Sequence, residues 1–574
     1  MTKTSSWTAL QNPVFRKLWI ASLVSGSCVA AHDTAATWIM STLTPLPVLI
    51  SLMSTVASLP FFLFTLPAGA LADMVDRKKL LCVINLWLAA AAAGLAIVGS
   101  LHLFNPGIIL VSVFLIGVGF AFNAPTWISI VPHIVSDAEL PAAVTLSGLQ
   151  LNISGIIGPT LGGLLIPLIG ANFVFAVNAA CFLVVILAIL QWKRATTQSK
   201  LPLERFFESF VTAIRYVRYA PGLQIVLART VLFALFISVI PALMPVVGLK
   251  VLHLSSSNLG FLLTSMGAGS VSAAAFIIPW LRARYSSNTL IVLANLLVVL
   301  VYVLMAVVRQ TELFLVVAAL AGVGWTLSAS ELWVAAQRTM PSWARGRMNA
   351  TVIMVSQGAM ALGGVIWGCA ATKAGASYTL LGAAFLFLIS LRLAAPLSID
   401  FTGTLNFDPA PVTSFSHKLI YTPQLRDGPM SITVEFKIDC ARGPEFLSLM
   451  REVRLIHLRN GAYSWRLHED LTRCNTFRLE LIVPSWNEHL LQRKRMTKAE
   501  KEVLVETWSL HMGATPPEER IYLSVSNELH TPRQCTLNAS TSPPSPRIIP
   551  GVSTEADPTA HSSHHLQEGY KQGR

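Results

Sequence analysis

Charged side chains are scarce in this chain: 12% of its 574 residues are Asp, Glu, Lys or Arg, about half the share of a soluble globular protein. Length alone would suggest three or four soluble domains, but there is too little charge to cover their surfaces. Paired cysteine chemistry is missing as well. The seven cysteines form no C-x-x-C pair and have no His at ligand spacing, so they serve as packing residues and free thiols and no metal site is expected. No cleavable leader is expected either: Lys3, Arg16 and Lys17 precede an apolar run that continues to Met40, superficially like a signal peptide but too long for one and suited to an uncleaved first span. What is abundant is apolar, at 53% of residues. One polytopic bundle with a smaller appendage, solvated by a lipid bilayer, is the class that remains.

Residues 69–80, GALADMVDRKKL, pack five charges between two uncharged runs, 47–72 and 80–104. Each run exceeds the roughly 20 residues that cross a hydrocarbon core of about 30 Å. The same criterion gives six spans in the first half of the chain, at 18–42, 47–72, 80–104, 107–131, 142–168 and 171–192. Six more follow at 223–249, 257–281, 287–308, 312–338, 347–372 and 375–396. Backbone amides inside a bilayer must bond internally, so all twelve are helices.

With the N-terminus inside, the inner loops and their margins collect eighteen Lys and Arg, whereas the outer loops hold only Lys250, Arg309 and Lys373. This asymmetry predicts both termini in the cytoplasm. It also accounts for the net charge of +13 without nucleic acid as a partner.

The halves echo each other weakly. Leu161-Gly162-Gly163 in the fifth span matches Leu362-Gly363-Gly364 in the eleventh, and Gly117-Val118-Gly119 matches Gly322-Val323-Gly324. The expected organisation is a six-helix half at 1–192, a cytoplasmic loop at 193–222 and a second six-helix half at 223–397. Such a layout suits a secondary transporter with its substrate site between the halves, although glycine pairs also serve plain helix packing.

Asp33 is the most informative side chain. It lies about 22 Å along the first span, where a charged carboxylate costs at least ~2.5 kcal/mol on insertion scales. It therefore faces a cavity or is protonated, as a proton-coupling or cation-recognising acid, unless helix neighbours such as His32 satisfy it. Glu331 lies about two turns from the inner end of the tenth span and Arg229 enters the seventh to a similar depth. Pairing of Glu331 with an inner-side Arg would make it a gate strut; otherwise it is a transport acid. Asn123, Gln150, Asn152, Asn178 and Gln357 either line the cavity or bond helix to helix. In the fifth span Pro159 removes a backbone donor, while Gly158, Gly162 and Gly163 allow a bend or close contact.

These residues resemble the major facilitator superfamily. Gly69-Ala70-Leu71-Ala72-Asp73 followed by Arg77-Lys78-Lys79 is similar to that family's loop motif between its second and third helices, with Met74 where an Arg is usual and Asp76 where a Gly is usual. Residues 158–163, GPTLGG, resemble the core of its antiporter motif, with Ser154 and Thr145 in place of upstream glycines; the fourth span lacks the Arg of many proton-coupled members. Residues 12–19 (NPVFRKLW), 66–73 (LPAGALAD), 122–125 (FNAP) and 334–337 (VAAQ) are similar to the subgroup of enterobactin-type siderophore exporters and effector exporters. The resemblance implies a bacterial inner membrane, proton antiport with the proton gradient as energy source and no cofactor. It also implies a cytoplasmic latch built from Gly69, Asp73, Arg77 and Lys78, to which Arg229 is added here as a gate residue.

Past Pro396 the composition changes to a linker at 398–429. Alternation at 432–438, helical periodicity at 444–459, strands at 463–468 and 477–483, a helix at 498–511 and a strand at 521–525 predict βαββαβ, a ferredoxin-like cytoplasmic domain over 430–526. It resembles small α+β modules related to antibiotic-biosynthesis monooxygenases, which implies homodimerisation through this domain. It holds no nucleophile with its base and no phosphate loop, so a dimerisation or regulatory module is expected. Trp465, Trp486 and His489 form either a ligand pocket or aromatic core. Residues 527–574 read as a disordered tail whose His561, His564 and His565 weakly suggest a metal.

The expectation is thus a non-enzymatic transporter exporting a small amphipathic molecule, siderophore or drug-like. The alternative is a membrane-anchored sensor or enzyme acting through the C-terminal domain.

Overall fold

The computed structural model describes residues 8–131, 134–136, 139–191, 214–399, 407–411, 423–513 and 515–524, without the side chains of 70, 73, 74, 128 and 129. Most of the expected inter-half loop and linker, and the tail with His561, His564 and His565, lie outside the described residues.

Among the described residues, twelve helices are long and apolar enough to cross a membrane. The first half comprises α1 Pro13–Leu43, α2 Pro47–Met74, α3 Arg77–Ser100, α4 Pro106–Ile130, α5 Leu140–Ile169 and α6 Ala171–Gln191. The second comprises α7 Pro221–Val251, α8 Ser256–Arg282, α9 Ser287–Val307, α10 Thr311–Arg338, α11 Arg345–Ala374 and α12 Ala376–Ala394. Local chemistry sets their starts. Proline fills the first turn of α1, α2 and α4, where its missing N–H is no loss. The Asn12 side chain accepts from the amides of Val14 and Phe15, which starts α1 five residues before the apolar run. Asp76, one of the two departures from the loop motif, accepts from the amides of Lys78 and Lys79 and so caps α3. Both α7 and α8 contain a widened π turn, at Val247–Val251 and Ala273–Ile277.

We call "near" the end that holds Pro13 and the 75–76 turn, and "far" the opposite end. Within each half α1 lies on α5 and α6, α3 on α4 and α6, α9 on α10 and α12, and α7 on α11; α1 with α5 and α7 with α11 run parallel and the other pairs antiparallel. The halves meet along two seams, α2 with α11 and α5 with α8.

Beyond the bundle, β1 Met430–Lys437, α13 Gly443–Asn460, β2 Ser464–Glu469, β3 Thr476–Val483, α14 Trp486–Arg495, α15 Lys498–Ser509 and β4 Glu518–Leu523 form a small α+β domain. Its antiparallel sheet runs β2-β3-β1-β4, the ferredoxin-like order. One face carries Ile432, Val434 and Phe436 opposite Leu481, Leu479 and Phe477, and packs on Phe446 of α13. The other carries Arg466, Arg478, Glu435, Glu480, Glu518 and Arg520. The additional helix α14 was not expected. Ser485 caps it by accepting from the Glu488 amide, and its ten residues are too polar to show a strong apolar stripe.

Candidate functional site

The side chains of α1 divide over three faces, because successive residues turn about 100°. Ser27, Ala30 and Ala31 meet α5: a methyl placed on Gly158 would stand 2.5 Å from Ala30 Cβ, and one on Gly162 would stand 2.7 Å from the Ala31 carbonyl oxygen. Cys28 and His32 meet α6, where Cys28 Sγ is 2.8 Å from Cys181 Sγ and the His32 ring lies 4.5 Å from that of Phe175. Asp33 points to neither. Its helix touches α2, α4, α5, α6 and, across the interface, α8, so it is interior to the bundle. Asp33 is nevertheless exposed between buried His32 and Thr34. Its carboxyl is thus accessible to solvent on a helix that other helices surround. Among the described residues it has no hydrogen bond or ion pair, and His32 does not satisfy it.

The far end above Asp33 is sealed. Ser51 Oγ on α2 donates to the Ala242 carbonyl (2.9 Å), Thr55 Oγ1 donates to the Ala361 carbonyl (3.1 Å) and the Val48 amide donates to Thr372 Oγ1 (3.0 Å). On the second seam Thr160 and Thr264 share a 2.6 Å hydrogen bond, and Thr264 also meets the Ile156 carbonyl at 3.0 Å. Gly163 and Gly260 let α5 and α8 touch by backbone, since a methyl on Gly163 would stand 2.9 Å from Gly260 Cα. Lys250 Nζ on α7 donates to the Ser41 carbonyl of α1 at 2.6 Å.

The polar residues expected in midspan separate. Gln150 is buried and donates to the Ser22 carbonyl (3.0 Å) and to Ser154 Oγ (3.2 Å), which makes it a strut between α1 and α5. Asn152 is exposed and bonds its own helix at Gly148. Asn123 and Gln357 are half-buried, and Asn178 is fully buried on α6. Glu331 pairs with Arg282 of α8, Nε to Oε1 at 2.6 Å, rather than with Arg229. Arg229 is buried and donates to Asn288 Oδ1 instead. Helix crossing decides this: α8 faces α10 along its length, while Arg229 reaches toward the start of α9.

In the loop motif, the Asp73 side chain lies outside the described residues. Arg77 Nε donates to the Ala72 carbonyl at 3.3 Å and Lys78 Nζ to the Leu190 carbonyl at the end of α6 at 2.9 Å. Nothing stands within 4 Å of a methyl placed on Gly69, so no close approach demands glycine there.

Sequence reasoning missed the junction at the near end of the second half. Trp343, in the turn between α10 and α11, donates Nε1 to the Arg495 carbonyl at 3.0 Å, and the Arg495 guanidinium lies 5.1 Å over its ring. Arg215 and Arg495 both donate to Glu488 Oε1, at 2.9 and 2.7 Å. The α+β domain is thereby docked on the second half. Trp486 and His489 are buried with ring centroids 5.3 Å apart, as aromatic core. The signal available was the S-x-x-E start of α14.

Residues 4–529 match the protein family described as transmembrane secretion effector. Macrolide efflux protein A of Streptococcus pyogenes is 23% identical over 268 residues, 46% of this chain and 65% of that protein. Multidrug efflux pump Tap of Mycolicibacterium fortuitum is 25% identical over 363 residues, 60% of this chain and 87% of that one. Enterobactin exporter EntS of Citrobacter koseri is 24% identical over 268 residues, 46% and 62% of the two chains. The chain therefore spans just under two thirds of the macrolide and enterobactin exporters that it matches. Among solved structures, a mutant of the nucleoside transporter NupG superposes with a TM-score of 0.57 at 14% identity, over 67% of this chain and 99% of that one. A bacterial homologue of the lysosomal transporter Spinster, inward-facing and occupied, superposes with a TM-score of 0.54 at 12% identity, over 68% and 96%. These two likenesses concern the fold alone.

Proposed function

The chain belongs to the transmembrane secretion effector family of the major facilitator superfamily, and from that membership we propose that it exports a small amphipathic molecule by alternating access, in exchange for protons. The observation that carries this reading is Asp33, an accessible carboxyl with no hydrogen bond among the described residues, on a helix that other helices surround and below the far-end seal; in this reading it lines the cavity between the halves. The near end is the cytoplasmic one, as the Lys and Arg asymmetry favours, and the membrane is a bacterial inner membrane with both termini inside. The far seal then faces outward and the cavity is loaded from the cytoplasm.

The cargo is of the class carried by the similar exporters, a macrolide-like drug or a siderophore. Asp33 exchanges its proton for substrate as the cavity changes sides; the proton gradient supplies the energy and no cofactor takes part. Asn123 and Gln357 are the polar groups available to orient cargo. The soluble domain is a cytoplasmic regulatory or dimerisation module. A homodimer through its sheet would have to pair the charged face, where Arg473–Glu435 and Arg520–Glu518 already form ion pairs at 2.9 and 2.8 Å.

Accumulation of macrolides, siderophores and lipophilic dyes in energised inverted vesicles tests the reading. Uptake that collapses with a protonophore supports it; uptake indifferent to the gradient for every transported compound overturns antiport.

A further inference from the structure

Among the described residues, the far-end seal consists of weak neutral contacts with one exception. Hydroxyl-to-carbonyl bonds at Ser51, Thr55 and Thr264 and the glycine contact at Gly163 carry no charge. Lys250 does. Its ammonium donates at 2.6 Å to the Ser41 carbonyl, which sits in the last turn of α1. Carbonyls there have no partner within the helix and carry the negative end of its dipole, so a cation is the favoured cap. Here the cap comes from the other half of the molecule.

Two further observations single Lys250 out. It lies in the π turn Val247–Val251, a widened turn of a kind that concentrates at functional positions. Of the far-loop bases, Arg309 bonds the Ala306 carbonyl and Ser377 within its own half, at 2.7 and 3.1 Å, whereas Lys250 crosses between halves.

We propose that Lys250 is the far-side latch, a gating residue whose ammonium caps α1 while the far end is shut and must leave that carbonyl each time the far end opens. This rests on the alternating-access reading above. The Lys250 ammonium and the Ser41 carbonyl act as a charge–dipole pair, so removing the charge tilts the equilibrium toward the far-open state.

Hydrogen exchange followed by mass spectrometry on the full chain in lipid nanodiscs tests this. In Lys250→Met, amides in segments 41–52 and 250–262 are expected to exchange about tenfold faster, the factor for losing one charge-assisted hydrogen bond in a two-state opening. Segment 339–350 at the near end is expected to slow in the same sample. Lys250→Arg, which keeps a cationic donor, is expected to exchange like the parent, which also separates latch loss from general loosening. Parent-like far-end exchange in Lys250→Met overturns the latch. Faster far-end exchange without slowing of the near end upholds the latch and overturns the alternating-access reading instead.

Discussion

Glu331 Oε1 lies 2.6 Å from Arg282 Nε, and the two partners differ in exposure: the carboxylate side chain is 1% exposed and the guanidinium side chain 42%. Removing each should therefore have unequal effects. Arg282→Gln leaves a buried carboxylate without its cation and should lower stability by about 3 kcal/mol, the lower end for breaking a buried pair. Glu331→Gln leaves only a solvated guanidinium and should lower it by about 1 kcal/mol. Thermal unfolding in detergent reads both, and export by Glu331→Gln should persist if the pair is a strut.

Glycine requirements should differ sharply between the two motifs. Gly163→Ala places a methyl 2.7 Å from the Ser256 carbonyl oxygen and 2.9 Å from Gly260 Cα, so α5 and α8 must part. The expected cost is about 1–3 kcal/mol, as for overpacking generally, together with reduced export. Gly69→Ala meets nothing within 4 Å and should leave stability unchanged. Parallel thermal scans and vesicle uptake check the contrast.

Trp343→Ala removes the Nε1 donor to Arg495 and the ring beneath its guanidinium. The soluble domain should then detach, and limited proteolysis should cut residues 398–429 faster than in the parent. Export that survives both this change and removal of everything after Pro396 would sink the sensor alternative.

Burial pushes His457 and His489 in the soluble domain down to about 4 from the ordinary histidine value, with Arg493 adding to the effect at His489. Both are neutral when folded, so the unfolded chain binds more protons between about pH 6.5 and 4. Their contribution to stability is complete above that window and is lost as pH falls through it. Hydrogen exchange of segments 453–461 and 485–495 should accelerate on acidification from pH 7 to 5, and less so in His489→Gln.

The bundle was legible because an uncharged run longer than a bilayer is thick has few other uses, and the first strand because residues 432–438 alternate on a period of two. Close helix approach could also be anticipated at Gly158 and Gly162, whose spacing puts both on one face of α5. What escaped depends on which helices cross. Sequence could not say that Glu331 meets Arg282 rather than Arg229, or that Gln150 bonds Ser22 instead of facing the cavity. Lys250 entered only as a loop charge, since its partner is a backbone carbonyl with no side-chain signature. Helix α14 was hidden by its polarity, although Ser485 and Glu488 marked its start.

The most direct test of the central claim is proton counterflow in proteoliposomes, followed with a lumenal pH dye while a substrate identified in vesicles is driven through the parent and through Asp33→Asn. The parent is expected to move protons against substrate, and Asp33→Asn still to bind substrate but to move neither against a gradient. Undiminished substrate-driven proton movement in Asp33→Asn would contradict that claim.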